Sequence, residues 1–306
     1  MSRTAVAVLA LGLLGAACAG DTTPRTDGAR ATPSSSAVPT SDAPTPGSSS
    51  AAPPSAAAAT TTAGTATAYP DPTPGEVDVW TPTVVATAPH DPDASTQGFV
   101  IDNGVLYEST GLYGESSLRA VDPSTGEVVR LAGLDDSFFA EGLELVGDTL
   151  VQLTWQEETA FVWDVATFEE VGRFTYPGEG WGLCYDGNRL VLSDGSPVLR
   201  FYDPVDFELL GDVEVTLDDE PVFLINELEC VDDLVFANVW MTTDIVVIDP
   251  AAGQVTAVID ASALDEVDDP IRRAVLNGIA YDDDDGVFLL TGKLWPTVYV
   301  VRFVAG

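Results

Sequence analysis

Lysine occurs once in this 306-residue chain, at Lys293, and histidine once, at His90. The cysteines are Cys18, Cys184 and Cys230. With so few nitrogen and sulfur ligands, neither a His-rich zinc site nor a Ser-His-Asp triad is expected. Carboxylates, amides, indoles and one ammonium must carry any chemistry. Basic residues are scarce as a class: 12 Lys and Arg face 49 Asp and Glu, a formal charge of −37. Such a chain repels phosphate backbones, which excludes nucleic acid as a partner. The acidity reads as a solubilising surface, and runs such as Asp282 to Asp285 read as solvated loops, with calcium binding as the alternative. Long apolar runs are missing too. The longest, Ala5 to Leu14, is about half of the roughly 20 residues a bilayer crossing needs, so the mature chain is expected to have no transmembrane helix.

Arg3, that apolar run and the small residues up to Cys18 form a signal peptide over residues 1–18, which predicts export to the cell envelope or the extracellular space. Leu14-Gly15-Ala16-Ala17-Cys18 resembles a bacterial lipobox, although its leucine stands four rather than three residues before the cysteine. A lipid anchor on Cys18 and ordinary cleavage nearby both stay open, and the anchor is the only expected tie to a membrane. Residues 19–76 are dominated by Ala, Ser, Thr and Pro. They hold too little apolar surface to offset the entropy of ordering and read as a disordered tether. Residues 77–306 suffice for one all-β domain, expected to be monomeric.

Within that domain a pattern recurs. Gln97-Gly98-Phe99 returns as Glu141-Gly142-Leu143, Trp181-Gly182-Leu183, Asn226-Glu227-Leu228 and Asn277-Gly278-Ile279, at intervals of 40 to 51 residues. Each copy reads as a strand, a Gly/Asp/Asn turn and a second strand. Turn-bearing strand ends follow at Val121-Asp122-Pro123, Trp163-Asp164, Tyr202-Asp203-Pro204 and Ile248-Asp249-Pro250. The repeat predicts a five-bladed β-propeller with about four antiparallel strands per blade. The last repeat stops short of an outer strand, and Val77 to Ala88 is expected to donate it and close the ring.

Register alone brings the leading residues Gln97, Glu141, Trp181, Asn226 and Asn277 to equivalent places that converge in a ring. The next strands offer Glu108, Trp155, Asp194, Trp240 and Lys293 at comparable but not identical depth. A lone lysine at a converging position points to function or to a specific buried ion pair. His90, before Asp91-Pro92, is as consistent with a turn-stabilising hydrogen bond as with a part in the chemistry, and the structural reading is preferred. Cys184 and Cys230 lie on inner strands of adjacent repeats, where the register admits either a disulfide or two separate thiols.

These residues resemble the plant and bacterial type of glutaminyl cyclase, also called glutamine cyclotransferase. The resemblance rests on His90-Asp91-Pro92, Thr96-Gln97-Gly98, the run Leu106 to Gly114, Glu141-Gly142-Leu143, Gly180-Trp181-Gly182-Leu183, Asn226-Glu227-Leu228-Glu229, Ala237-Asn238-Val239-Trp240 and Thr291-Gly292-Lys293-Leu294-Trp295-Pro296. It implies an active site at the mouth of a central channel, with Glu141 as the acid/base group. It also implies a pocket lined by Gln97, Glu108, Phe139, Trp155, Trp181, Asn226, Trp240 and Lys293. Ser95 stands where the family commonly has an aromatic residue. The implied reaction closes an N-terminal glutamine of a peptide into pyroglutamate with loss of ammonia and needs no cofactor for catalysis; a structural calcium stays open. A glutamate flanked by indoles is expected to hold its proton to unusually high pH. A non-catalytic propeller that binds peptide or glycan on the same face is the alternative, followed by a calcium-dependent hydrolase.

Overall fold

The computed structural model describes residues 67–264 and 273–306. The signal peptide expected over 1–18, Cys18 with its lipobox, and the tether as far as residue 66 lie outside the described residues. Strand β1 (Asp78–Pro89) precedes three four-stranded sheets. These are β2 (Thr96–Asp102), β3 (Val105–Thr110), β4 (Ser117–Val121) and β5 (Val128–Gly133); β6 (Ala140–Val146), β7 (Thr149–Thr154), β8 (Thr159–Asp164) and β9 (Glu170–Thr175); and β10 (Leu183–Tyr185), β11 (Leu190–Leu192), β12 (Val198–Tyr202) and β13 (Leu209–Glu214). A short hairpin, β14 (Thr216–Leu217) and β15 (Glu220–Pro221), leads to β16 (Ile225–Val231), β17 (Leu234–Val239), β18 (Asp244–Asp249) and β19 (Gln254–Asp260). The chain ends with β20 (Leu276–Asp282), β21 (Val287–Gly292) and β22 (Thr297–Ala305). Among the described residues there is no α-helix, only a 3-10 turn at Ser262–Leu264, and no helix long and apolar enough to cross a membrane.

The arrangement is all-β and propeller-like. Inner strands β2, β6, β10, β16 and β20 touch in cyclic order, and β20 returns to β2. Apolar clusters fill the seams between neighbouring sheets: Leu118 and Tyr107 meet Leu143 and Phe161 in one, and Phe99 and Leu106 meet Val287 and Leu289 where the last sheet meets the first. Each fully buried large side chain in such a seam contributes about 1.5–3 kcal/mol of transfer free energy. The glycine after the first three leading residues has a steric cause. A Cβ on Gly142 or Gly182 would run into the backbone of the next inner strand, so only glycine permits the close approach.

β1 pairs with the last strand as expected, and in doing so joins β16–β19 and β20–β22 into one ten-stranded sheet that also includes the β14–β15 hairpin. It pairs antiparallel with β22 from Trp80↔Ala305 to Pro89↔Thr297, and its first residues also run parallel to β19 from Asp78↔Ala257 to Trp80↔Ile259. Part of the segment expected to be a tether packs on the domain. Ala68 is buried, its carbonyl accepts the Phe303 amide at 2.8 Å, and Tyr69 packs on Trp80 and Phe236 while its hydroxyl donates to Asp232 at 2.5 Å. One aromatic anchor outweighs the polar composition around it. Cys184 of β10 and Cys230 of β16 form a disulfide, which resolves the two alternatives left open by the register.

In the fourth repeat Glu227 replaces the close-approach glycine, and its carboxylate accepts the Ile279 amide at 2.8 Å. Glu144 accepts Tyr185 N at 2.9 Å and Glu229 accepts Tyr281 N at 3.3 Å. Glutamates of β6 and β16 thus bond backbone amides of the neighbouring sheet. Burial pushes Glu227 and Glu229 well above the usual carboxylate range and Glu144 up to about 8.

Candidate active site

The inner hairpins break register at their leading residues. Shifts fall between Thr96 and Gly98, Ala140 and Leu143, Ile225 and Leu228, and Leu276 and Ile279. A bulge of this kind re-aims a side chain, so Gln97, Glu141, Asn226 and Asn277 leave the strand alternation at the same end of their sheets. The second strands enter the site through one repeated bond: Gly111 N donates to Ser95 O, Trp155 N to Phe139 O, Trp240 N to Leu224 O and Lys293 N to Val275 O.

Glu141 is only 6% exposed. Burial pushes its carboxyl up to about 8; the Lys293 ammonium works against that shift, and the carboxylates of Glu179 and Glu157 reinforce it. Lys293 donates to Gln97 Oε1 at 2.6 Å, and burial lowers its own pKa against the pull of Glu141. Around this floor runs an aromatic arc. Tyr113 meets Phe139 with ring centroids 5.4 Å apart, Phe139 meets Trp155 at 5.7 Å, and Trp181 meets Trp240 at 5.6 Å, all edge-to-face, the geometry aromatic quadrupoles favour. Gly111 and Gly195 make room for it, since a Cβ on either would strike the Phe139 or Trp181 ring.

The gap in the arc between Trp155 and Trp181 is spanned by a carboxylate. Glu179 Oε2 accepts the indole N–H of Trp155 at 2.8 Å and that of Trp181 at 3.0 Å, while Oε1 accepts Gln156 Nε2 at 2.9 Å. Glu157 plays a parallel part beside Phe139, accepting the Tyr113 hydroxyl at 2.7 Å and the Phe139 amide at 3.3 Å. A protonatable carboxyl, one ammonium, two carboxamides and half-buried indoles make a pocket suited to proton transfer on a small amide.

A family model described as glutamine cyclotransferase matches residues 55–303. The chain belongs to the glutamine cyclotransferase family. It is similar to the glutaminyl-peptide cyclotransferase of Arabidopsis thaliana, 41% identical over 224 residues that span 72% of this chain and 70% of that protein. It is also similar to the crystal structure of Myxococcus xanthus glutaminyl cyclase, with 41% identity and a TM-score of 0.71 over 76% of this chain and all of that one.

Of the residues expected to line the pocket of this cyclotransferase family member, the structure brings Gln97, Phe139, Glu141, Trp155, Trp181, Trp240 and Lys293 into the linked groups just described. Asn226 lies buried at an equivalent leading position, with its Oδ1 unpartnered. Asn277 is tied to Thr96 O through Nδ2 at 2.9 Å. Glu108 is not in the arc. It sits three residues deeper along β3 than Gly111, which holds the place equivalent to Trp155, and its Oε1 is taken up by His90 Nε2 at 3.0 Å and Thr96 Oγ1 at 2.7 Å. His90 also contacts Trp295 O at 2.6 Å, so its ring ties the segment before β2 to β3 and to the loop before β22 rather than bracing its own turn. Asp194 pairs with Arg200. Among the described residues no three His, Cys, Asp or Glu side chains are grouped to hold a metal ion.

Sequence reasoning missed Glu179, Glu157 and Tyr113. A signal for Glu179 was available: it stands two residues before a leading residue, the slot filled by Ser95, Phe139, Leu224 and Val275 in the other repeats. Nothing in the repeat marks Glu157 or Tyr113, because both lie in loops where the register ends.

Proposed function

We propose that this chain is a glutaminyl-peptide cyclotransferase that closes an N-terminal glutamine onto its own α-amine and releases ammonia. Glu141 carries the reading: a buried carboxyl pushed up to about 8, with the charge of the lone lysine acting on it. The neutral α-amine attacks the γ-carboxamide carbon, the new C–N bond closes the five-membered ring, and the bond to the amide nitrogen breaks. A protonated carboxyl offers one O–H donor and one carbonyl acceptor. Glu141 gives its proton to the departing nitrogen and takes one from the attacking amine, so it ends as it began. Phe139, Trp155, Trp181 and Trp240 hold the side chain folded back on the amine, which removes much of the entropic barrier. Gln97, Asn226 and Lys293 supply donors for the developing oxyanion.

In this reading the sheets are the five blades of a propeller, completed by β1, and the reaction is an intramolecular acyl transfer that needs no cofactor. Export by the signal peptide places it outside the cytoplasm, on a monomer that is either lipid-anchored through Cys18 or released. The test is incubation of the purified domain with a glutaminyl peptide, free or N-acetylated. Only the free peptide should release ammonia and lose the corresponding mass. Ammonia from the acetylated peptide would make the protein a general amidohydrolase, and binding without turnover would make it a peptide-binding propeller.

A further inference from the structure

We propose that Glu179 is a positioning residue of this pocket: one of its carboxylate oxygens locks the indoles of Trp155 and Trp181, borne on different sheets, into a single wall, and its charge faces Glu141. The inference rests on the cyclase reading for its kinetic part and on geometry for the rest.

The geometry is specific. Both indole N–H groups converge on Oε2, at 2.8 and 3.0 Å, while Gln156 occupies Oε1 at 2.9 Å. All three donors are neutral, so they orient the carboxylate without cancelling its charge. An acceptor that is ionised makes shorter and stronger bonds than a neutral one, and two of them on one oxygen fix the spacing of the indoles.

The segment that carries Glu179 is itself pinned. Gly180 N donates to Trp155 O at 3.0 Å, Trp181 N donates to Ser193 O at 2.9 Å, and a side chain on Gly180 would strike the Tyr176 hydroxyl. Tyr176 in turn takes the Thr154 amide at 3.1 Å, next to Trp155. The backbone therefore presents Glu179 at one place between two sheets, where the substrate's side chain would lie against both rings.

The groups that act on Glu141 come from every side of the mouth. Lys293 follows β21 and lowers its pKa, while Glu157 after β7 and Glu179 before β10 raise it. Tyr113 after β3 and Tyr176 after β9 also feel its charge, and both hydroxyls are held above their ordinary range chiefly by burial. Glu179 is thus one of two carboxylates that keep the proton on Glu141.

Glu179→Ala and Glu179→Gln separate the two roles. Loss of the shared acceptor in Glu179→Ala should change the near-ultraviolet circular dichroism of the indoles and raise KM for a glutaminyl peptide about tenfold. Glu179→Gln retains an acceptor oxygen and should restore both. It removes the charge, however, and should move the alkaline limb of kcat about one pH unit downward. Unchanged dichroism and KM in the alanine variant would overturn the clamp, and an unmoved alkaline limb in the glutamine variant would overturn the electrostatic role. If the wild type releases no ammonia, the cyclase reading fails instead, and the dichroism of the alanine variant still decides the clamp.

Discussion

Lys293 donates a 2.6 Å hydrogen bond to Gln97 across the seam between the last sheet and the first. The bond anchors the only lysine side chain of the chain, whose charge acts on Glu141. Two residues 196 positions apart meet because the ring returns on itself.

Replacing that lysine tests the balance of charge. In Lys293→Met the group that pulls the Glu141 pKa down is gone, so the carboxyl should hold its proton to higher pH. The alkaline limb of the pH–rate profile should move up, opposite to its shift in Glu179→Gln. Turnover should fall on the order of 10²-fold from the lost oxyanion donor. Profiles that superimpose on wild type would reduce Lys293 to a structural tie.

Glu141→Gln keeps the shape of the side chain but cannot pass a proton. Turnover should drop by about 10²-fold or more, while binding of an uncyclisable N-acetylated glutaminyl peptide, measured by tryptophan quenching, stays within a few-fold of wild type. Near-normal turnover in the folded variant would remove Glu141 from the shuttle role.

The buried glutamates set the pH dependence of stability. Glu141, Glu144, Glu227 and Glu229 all have folded pKa values raised above their unfolded ones by burial. A raised folded pKa means the native state binds the proton more tightly. Its contribution is present in full below the ordinary carboxylate range near 4.5 and is lost as pH rises to the folded value, about 8 for Glu141 and Glu144. Melting temperature should therefore fall from about pH 5 to about pH 8. Glu229→Gln, neutral at every pH, should flatten that fall; a slope as steep as that of wild type would count against the linkage.

Removing residues 78–89 should expose the edges of β19 and β22, which are both paired by β1. Unpaired edges invite association, so the truncated domain is expected to aggregate or to lose its cooperative melt, read by light scattering and calorimetry. Cutting the chain to begin at residue 67 should leave melting and monomer state unchanged, because Ala68 and Tyr69 stay in place. Equal behaviour of the two truncations would refute the strand donation.

Much of this was legible in the linear chain. The recurring Gly-bearing hairpins located the inner strands and pointed to Gln97, Glu141, Trp181, Asn226 and Asn277 as equivalent leading residues, of which Asn277 is spent on Thr96 O. The incomplete last repeat pointed to β1 as its missing strand. Glu108 shows where such counting stops: it lies in the strand next to the site, yet the hydrogen-bond register places Gly111 at the mouth and leaves Glu108 to His90 and Thr96. A period identifies which residues share a level only when strand ends and bulges are known, and these depend on pairing.

Repeat, composition and residue scarcity determined by themselves the strand-rich architecture, the acidic surface and the short inventory of groups able to do chemistry. Tertiary structure alone decided that Cys184 and Cys230 are bonded, that Tyr69 anchors the end of an otherwise polar segment, and that Glu179 binds two indoles at once. Those outcomes turn on distances between side chains from different sheets and from loops outside the repeat. Such distances arise only when the seams pack; the repeat marks the slot of Glu179 but not the two indoles it holds.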